Sequence, residues 1–301
     1  MKMQWQGVIP AITTPFDEQL NVDHPAHALH CTWMLDSGCT GVVALGSLGE
    51  GATLTPPEKI QVLKTCVLAL QDRGPVVAGI SALSTAEAVT LAQTAEQIGC
   101  SGLMVLPPYV YLGDWRETKA HVAAILSATK LPCMLYNNPI AYTVDFVPEQ
   151  VSELVSEYPN LEAIKESSAD VRRIMSLRLL LSPNFKILVG VDDVIVESLE
   201  IGAVGWIAGL VNAFPVESVD LFNLTVRGEK QKALDVYRWF LPLLRMDTVP
   251  KFVQLIKLAQ AEVSMGSSRV RPPRLTLEGA ELAAARQTIQ EALAARLAWS
   301  S

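Results

Sequence analysis

The sequence predicts an α/β fold, the (β/α)8 or TIM barrel, with a C-terminal appendage of three helices. Short runs rich in Val, Ile and Leu recur eight times over about the first 210 residues. Helical patterns separate these runs, and from about Gly228 onward only helical patterns remain. Eight strands alternating with helices are typical of this barrel. We therefore predict a barrel domain that carries the site over residues 1–227 and a helical domain over residues 228–301.

The predicted strands are brief and do not alternate between apolar and polar residues, as expected when both faces are buried. In chain order they lie at Val8–Thr13, Gly41–Leu45, Val76–Ile80, Leu103–Leu106, Cys133–Tyr136, Glu162–Lys165, Ile187–Gly190 and Gly205–Ala208. A doubly wound sheet is the alternative fold. It usually has fewer strands and often carries a glycine fingerprint after the first one. No such fingerprint follows Val8–Thr13.

Signals for helix starts lie between the predicted strands. Thr55-Pro56-Pro57-Glu58 has the form of a capping box with proline at the first helical position. Ser84-Thr85-Ala86-Glu87 repeats the Ser-x-x-Glu pattern. After the last strand, three helices are predicted at Lys230–Leu244, Val249–Val263 and Leu277–Leu297.

Composition and charge narrow the range of functions. The chain has 301 residues, a net charge of -7 and no block of basic residues, which argues against a nucleic-acid partner. No apolar stretch has the length of a membrane span, and the first residues lack the pattern of a signal peptide. We expect a cytoplasmic protein without a membrane partner.

No metal or other cofactor is predicted. The five cysteines are scattered without a Cys-x-x-Cys motif and are expected to be buried, reduced thiols. His24, His27 and His30 form the densest group of imidazoles. They are spaced by three residues on a predicted helix, so their rings are not expected to converge on one ion.

Lys165 is the first candidate for chemistry. It ends the apolar run of Glu162–Lys165, and in a barrel of this kind chemistry gathers at the carboxyl ends of the strands. A partly desolvated lysine has a lowered pKa, and its neutral amine can attack a ketone to form a Schiff base. The alternative is a solvated loop residue just past a strand.

Other strand ends carry groups that suit the same reaction. The preceding strand ends at Tyr136, and Tyr109 follows strand 4. The loop Gly46-Ser47-Leu48-Gly49-Glu50-Gly51 follows strand 2 and offers backbone N–H groups and a hydroxyl. The amine can attack a ketone, a phenol can relay protons, and the loop can hold the neighbouring acid group.

These residues resemble the dihydrodipicolinate synthase / N-acetylneuraminate lyase family over nearly the whole chain. The resemblance lies in ordered motifs, namely Gly7-Val8-Ile9-Pro10-Ala11-Ile12-Thr13-Thr14-Pro15-Phe16, Gly46-Ser47-Leu48-Gly49-Glu50, Tyr136-Asn137-Asn138-Pro139, Ile164-Lys165-Glu166-Ser167-Ser168 and Gly202-Ala203-Val204-Gly205-Trp206-Ile207. Together they are much more specific for the family than any one motif alone.

The resemblance implies a class I mechanism. Lys165 matches the Schiff-base lysine, and Tyr136 matches the tyrosine that relays protons to and from the imine. Tyr109 matches a tyrosine that synthase members lend to a neighbouring subunit, within tetramers built as dimers of dimers. Residues predicted to bind the substrate, a 2-oxo acid or its cyclic imine, are Gly46, Ser47, Leu48, Gly190 and Ile207. In the loop motif, Leu48 replaces a second hydroxyl residue but keeps its N–H group.

Departures from the family pattern concern the choice of substrate. The synthase branch carries an arginine two residues after the proline of the Tyr-Asn-x-Pro motif, and Ala141 occupies that place here. Loss of a bidentate carboxylate clamp costs on the order of a few kcal/mol. The resemblance therefore favours a catabolic lyase.

Three alternatives to a general catabolic lyase stay open within this reading. Pyrroline-4-hydroxy-2-carboxylate deaminase of hydroxyproline breakdown is the branch suggested by Tyr136-Asn137-Asn138-Pro139, Gly190-Val191-Asp192-Asp193 and Arg271-Pro272-Pro273-Arg274. A true 4-hydroxy-tetrahydrodipicolinate synthase of lysine biosynthesis is the second. A barrel that only binds a small acid is the third, and a metal-dependent aldolase is a further class that chelators would exclude.

Overall fold

Eight parallel strands form the barrel in the computed structural model, which describes residues 3–109 and 111–296. The strands are β1 Gly7–Pro10, β2 Val42–Ala44, β3 Val76–Ile80, β4 Gly102–Val105, β5 Cys133–Asn137, β6 Leu161–Glu166, β7 Lys186–Val189 and β8 Gly205–Ala208. They are hydrogen-bonded in the order β1-β8-β7-β6-β5-β4-β3-β2. A parallel bridge from Ala11 to Val43 joins the two ends of this sheet, so the predicted (β/α)8 barrel is confirmed.

Helices follow the strands as they do in other barrels of this class. Those of the barrel are α1 His24–Asp36, α2 Pro56–Leu70, α3 Thr85–Ile98, α4 Trp115–Ser127, α5 Pro139–Tyr142, α6 Pro148–Glu157, α7 Arg172–Leu180, α8 Ile195–Glu200 and α9 Pro215–Val226. The capping box predicted at Thr55 opens α2, and the Ser84 side chain accepts from the Glu87 N–H at the start of α3. Caps of this kind stabilise a helix by about 1 kcal/mol.

The C-terminal segment contains α10 Lys230–Leu244, α11 Phe252–Glu262 and α12 Gly279–Ala294. The first has the predicted bounds. The second begins later than the predicted Val249, because Arg245–Thr248 form a 3-10 turn before it. The third, predicted at Leu277–Leu297, begins at Gly279 and ends at Ala294, and Leu297 itself lies outside the described residues. The domain boundary between residues 227 and 228 stays a prediction.

The strand bounds differ from the prediction mainly at β1. The predicted strand Val8–Thr13 ends at Pro10. Ala11 and Ile12 still donate to the Ala208 and Val43 carbonyls at 2.9 Å, and regular pairing is lost at Thr13. The backbone N–H of Thr13 donates to Asn212 Oδ1 at 3.2 Å instead of to a neighbouring strand. The β3 and β8 bounds are as predicted, and the others shift by one residue at one or both ends.

A buried ion pair fastens the C-terminal segment to the barrel. Lys257 Nζ on α11 lies 2.5 Å from Glu50 Oε1 in the loop after β2, and both side chains are almost fully buried. The second oxygen of Glu50 accepts from the Arg271 backbone N–H at 2.9 Å. The loop after β2 therefore depends on the C-terminal segment for its position. No helix in the described part of the chain is both long and apolar enough to cross a bilayer.

Candidate active site

Lys165 lies inside the barrel near the carboxyl end of β6. Its residue is 6% exposed, and in the register of β5 and β6 it stands beside Tyr136. Its Nζ lies 4.1 Å from the centroid of the Tyr136 ring. It forms no salt bridge with any residue that the structure describes. The alternative of a solvated loop lysine is wrong, because strand β6 continues to Glu166 and carries the side chain inward.

Gly190 provides the space that the Lys165 side chain occupies. A Cβ atom placed on Gly190 would lie 2.2 Å from Ser167 Oγ and 2.3 Å from Lys165 Cε. Distances this short are sterically forbidden, so only glycine fits at this point of the chain. Gly190 acts through this space and offers no side chain of its own to a ligand.

Ser167 is a site residue that the sequence reasoning quoted within a motif but did not single out. It is 1% exposed, and its Oγ has no hydrogen-bond partner within the described residues. Both Oγ and the Lys165 side chain approach the same point above Gly190. A buried hydroxyl without a partner is costly, so a ligand at Lys165 is a natural acceptor or donor for it.

Tyr136 and Tyr142 form an aromatic pair beside Lys165. Their ring centroids are 5.8 Å apart in an edge-to-face arrangement. The Tyr136 hydroxyl accepts from Asn138 Nδ2 at 3.0 Å, which fixes the phenol. The Tyr142 hydroxyl is hydrogen-bonded to Ser47 Oγ, and burial raises the pKa of Tyr142 above its usual range.

The sequence reasoning did not predict Tyr142. It ends the short helix α5, and it reaches the site because the Asn138 side chain caps this helix. The Asn138 Oδ1 accepts from the Ala141 N–H at 3.0 Å, and Ala141 is exposed. A tyrosine three residues after the proline of the motif was the available signal.

The loop after β2 contains Ser47 and Leu48 in a strained backbone. Leu45 and Glu50 have φ angles of 66° and 54°, in the left-handed region that non-glycine residues rarely adopt. The Leu48 side chain is 3% exposed and packs into the core, so only its backbone can serve a ligand. The N–H groups of Ser47 and Leu48 donate to no backbone oxygen in the described part of the chain. They are available to an anion, together with the Ser47 hydroxyl.

The remaining predicted residues lie around this centre. Gly46 begins the loop and is buried, and its carbonyl accepts from the Gly51 N–H at 3.2 Å. Tyr109 is half-buried, its ring centroid lies 5.8 Å from that of Tyr142, and burial raises its pKa. Ile207 is 1% exposed on β8 and pairs with Ile9. Its contribution to a site is apolar packing.

Asp192 is a buried acid on the opposite side of Lys165. Its carboxylate accepts from Trp206 Nε1 at 2.9 Å and from the backbone N–H groups of Gly209 and Leu210 at 3.1 and 2.7 Å. Burial raises its pKa to about 6, although these hydrogen bonds and the Lys165 ammonium oppose the shift. The sequence reasoning quoted Asp192 within a motif but assigned it no role in the site.

One group of side chains could hold a metal ion. His27, Cys31 and Cys66 are buried, and their donor atoms lie within 4.8 Å of one another. Cys66 Sγ lies 3.2 Å from His27 Nε2 and 3.8 Å from Cys31 Sγ, so the three groups also satisfy each other by hydrogen bonds. This group lies between α1 and α2, away from Lys165.

The histidines of α1 diverge, as predicted. His24 Nδ1 bonds Thr65 Oγ1 at 2.9 Å, His27 faces Cys66, and His30 Nε2 bonds Asn212 Oδ1 at 2.7 Å. Burial lowers the pKa of His27 to about 3, so the ring is neutral.

Two kinds of group flank Lys165 at the carboxyl ends of the strands. The hydroxyl-rich side consists of Ser47, Tyr136 and Tyr142. The carboxyl-rich side consists of Asp192 and Asp247, with Asp193 close to Asp247. An amine between a set of phenols and a set of acids can form an imine and exchange protons on either side.

Comparisons with known proteins give a consistent result. The sequence model of the Dihydrodipicolinate synthetase family matches residues 4–292. A relative from Mesorhizobium japonicum, named 4-hydroxy-tetrahydrodipicolinate synthase, is 32% identical over 273 residues, which cover 91% of this chain and 93% of the relative.

Solved structures agree with this match. The 4-hydroxy-tetrahydrodipicolinate synthase of Methylacidiphilum fumariolicum SolV has a TM-score of 0.91 at 29% identity, covering 97% of this chain and 98% of that one. YagE, a prophage protein of the dihydrodipicolinic acid synthase family from E. coli K12, was solved in complex with pyruvate. It has a TM-score of 0.91 at 26% identity, covering 97% of this chain and 99% of its own.

Proposed function

This chain belongs to the dihydrodipicolinate synthetase family, and we propose that it forms a Schiff base between Lys165 and a 2-oxo acid or its cyclic imine. Members of the family are lyases that act on small molecules. The observation that carries the proposal is the buried Lys165 side chain, whose Nζ lies 4.1 Å from the Tyr136 ring centroid. Burying a charged amine without a salt-bridge partner in the described residues is costly, and this cost favours a chemical role for Lys165.

The proposed reaction begins with the neutral amine of Lys165. Its nitrogen forms a bond to the ketone carbon, and the ketone oxygen takes a proton from Tyr136. Loss of water from this carbinolamine then gives the imine, with Tyr136 moving the protons. The Ser47 hydroxyl and the N–H groups of Ser47 and Leu48 are proposed to hold the adjacent carboxylate. YagE, which was solved with pyruvate, makes pyruvate the first acid to try.

We propose that the substrate belongs to catabolism. Ala141 is exposed, and no cation stands at that position of α5 to bind a second carboxylate. The deaminase reaction on pyrroline-4-hydroxy-2-carboxylate remains a candidate within this proposal. Synthesis of 4-hydroxy-tetrahydrodipicolinate is the second candidate, because relatives such as the one from Mesorhizobium japonicum carry that name.

Borohydride trapping tests the Schiff base. Incubation with pyruvate and borohydride is expected to convert the imine into a stable secondary amine, visible as added mass on the intact protein. The Lys165→Ala variant is expected to fold, to show no added mass and to lose all turnover. Lys186→Ala is the matched control, because Lys186 begins the neighbouring strand β7 at the opposite end of the barrel.

The possible results separate the hypotheses. Trapping that persists in Lys165→Ala would refute the role of Lys165. Binding of pyruvate to the wild-type protein without trapped mass would support a barrel that only binds a small acid. Loss of turnover on treatment with a chelator would support a metal-dependent aldolase instead.

We propose that the protein is a cytoplasmic homotetramer, in which Tyr109 completes the site of a neighbouring subunit. Exposed apolar side chains near Tyr109 support the assembly, since Leu83 and Leu112 are 70% and 69% exposed. The five free, buried cysteines suit a reducing compartment. Light scattering on the purified chain measures the mass of the assembly, and a monomer at working concentration would contradict it.

A further inference from the structure

Asp247 brings a carboxyl group from the C-terminal segment to the carboxyl end of β8. It lies in the 3-10 turn Arg245–Thr248 that follows α10. A Cβ atom placed on Gly209 would lie 2.0 Å from Asp247 Oδ1 and 2.8 Å from Oδ2. The carboxyl group therefore rests against the backbone of Gly209, in space that any side chain at that residue would fill.

Asp192 and Asp247 approach the same glycine but differ in their bonding. Asp192 accepts from the Gly209 N–H at 3.1 Å, and its oxygens are further occupied by Trp206 and Leu210. The Asp247 carboxyl group has no hydrogen-bond or salt-bridge partner in the described part of the chain, and its residue is only partly buried. Its oxygens are thus free to bond a ligand that reaches this end of the barrel.

The charges around Asp247 come from Lys165, Asp192 and Asp193. Burial and the two neighbouring acids raise the pKa of Asp247 well above its usual range, while the Lys165 ammonium opposes this. In either charge state a carboxyl group has an oxygen that accepts hydrogen bonds. A hydroxyl group is the matching ligand, because it donates a hydrogen bond to such an oxygen.

The direction of the substrate follows from the two sides of the site. The acid group next to the ketone belongs at Ser47 on the hydroxyl-rich side, and the ketone belongs at Lys165 on β6. Tyr136 occupies the β5 side of Lys165, and β7 lies on its other side in the closed ring of strands, so we infer that the rest of the substrate extends toward β7 and β8. Asp247 stands at that end, against the residue that follows β8.

We propose that Asp247 is a specificity-determining residue whose carboxyl group bonds a hydroxyl on the distal half of the 2-oxo acid held at Lys165. This inference rests on the proposed function. It also predicts which acids are disfavoured. A second carboxylate on the distal half would meet Asp247, Asp192 and Asp193, and Arg245 compensates only Asp193, at 3.8 Å. Like charges brought together out of bulk water repel strongly.

Graded trapping with three acids tests the inference. The probes are pyruvate, which has no distal group, 4-hydroxy-2-oxobutanoate, which has a distal hydroxyl, and 2-oxoglutarate, which has a distal carboxylate. For each, the half-saturating concentration for borohydride-trapped mass is measured. The wild-type protein is expected to trap the hydroxy acid at a concentration about tenfold below that for 2-oxoglutarate.

Three variants give the comparison its controls. Asp247→Leu is expected to raise the half-saturating concentration of the hydroxy acid about tenfold while that of pyruvate changes less than about twofold. Asp247→Asn keeps a donor and an acceptor and is expected to stay within about threefold of wild type. Asp235→Leu is the matched control, since Asp235 is exposed on α10, where it lies 3.5 Å from Arg238 and accepts from Gln231 Nε2 at 3.0 Å. If Asp247→Leu does not fold, Asp247→Ala replaces it.

The outcomes separate this inference from the proposed function. An unchanged ratio of hydroxy acid to pyruvate in Asp247→Leu would overturn the role of Asp247, and so would a wild-type preference for 2-oxoglutarate. Absence of any trapped pyruvate in the wild-type protein would instead refute the Schiff base, and the inference with it.

Discussion

The hydroxyl-rich and carboxyl-rich sides of the site are built in different ways. On the first, Ser47 and Tyr142 bond each other, and the loop that carries Ser47 is held by the buried pair Glu50–Lys257. On the second, Asp192 is held by N–H groups, and the 3-10 turn with Asp247 also carries Arg245, whose Nε lies 3.8 Å from Asp193 Oδ2. Both sides therefore depend on the C-terminal segment.

This difference shows how barrels of one family can share a reaction and differ in the substrate that they accept. In the proposed function the hydroxyl-rich side contacts the acid and ketone that every 2-oxo acid shares, so a rigid frame suits it. The carboxyl-rich side is then proposed to face the part that varies between substrates. Its outer contacts are exposed, so changes there cost little stability.

The largest expected effect is on the free energy of unfolding, and it distinguishes the Glu50–Lys257 pair from the Arg245–Asp193 pair. Lys257→Met leaves the buried Glu50 carboxylate without its partner and is expected to lower the free energy of unfolding by roughly 3–5 kcal/mol. Arg245→Ala on the carboxyl-rich side is expected to cost about 1 kcal/mol or less, because the Arg245 side chain is 64% exposed. Urea unfolding measures both, and equal losses would remove the distinction.

The next effect concerns proton transfer. Tyr136→Phe is expected to lower kcat by roughly two or more orders of magnitude, because it removes the acid that serves the ketone oxygen. Tyr111→Phe is the control, since Tyr111 is 59% exposed, and it is expected to leave kcat unchanged. An unaffected rate in Tyr136→Phe would mean that the acids on the other side move the protons.

A pH profile examines the carboxyl-rich side. The pKa of Asp192 is raised to about 6, so its carboxylate takes up a proton as the pH falls through 6, whereas an ordinary aspartate stays charged. The negative charge that stabilises a cationic imine at Lys165 is then lost, so kcat/KM is expected to fall about tenfold further between pH 7 and pH 5 than protonation of the amine alone would lower it. Asp192→Asn is expected to be less active at pH 7 and to lack this additional decline. The same decline in that variant would assign it to another group.

The smallest expected effect is on KM for pyruvate, and it tests whether the two sides of the site act independently. Ser47→Ala removes one hydrogen bond to the carboxylate and is expected to raise KM for pyruvate about fivefold. Ser47→Thr keeps the hydroxyl and is expected to retain the wild-type KM. The preference for a distal hydroxyl should be the same in both, so a changed preference would show that the two sides are not independent.

Much of the fold could be predicted because its signals are local. Apolar runs and capping residues identified the strands and most helices, and the topology then required strand ends to meet at one face. Lys165 and Tyr136 were found in this way, since each ends a predicted strand and lies one residue before the observed end. Tyr142 was missed, because a four-residue helix leaves almost no periodic pattern.

The sequence by itself determined the barrel and placed Lys165 and Tyr136 at the ends of neighbouring strands, because short-range patterns and strand order suffice for these. Only the tertiary structure decided that Gly190 makes room for Lys165, that Ser167 lacks a partner and that Asp247 stands at Gly209. Asp247 lies 38 residues beyond Gly209 in the chain and follows no motif. Contacts between such distant positions depend on how helices pack against the barrel, and a linear pattern does not encode that packing.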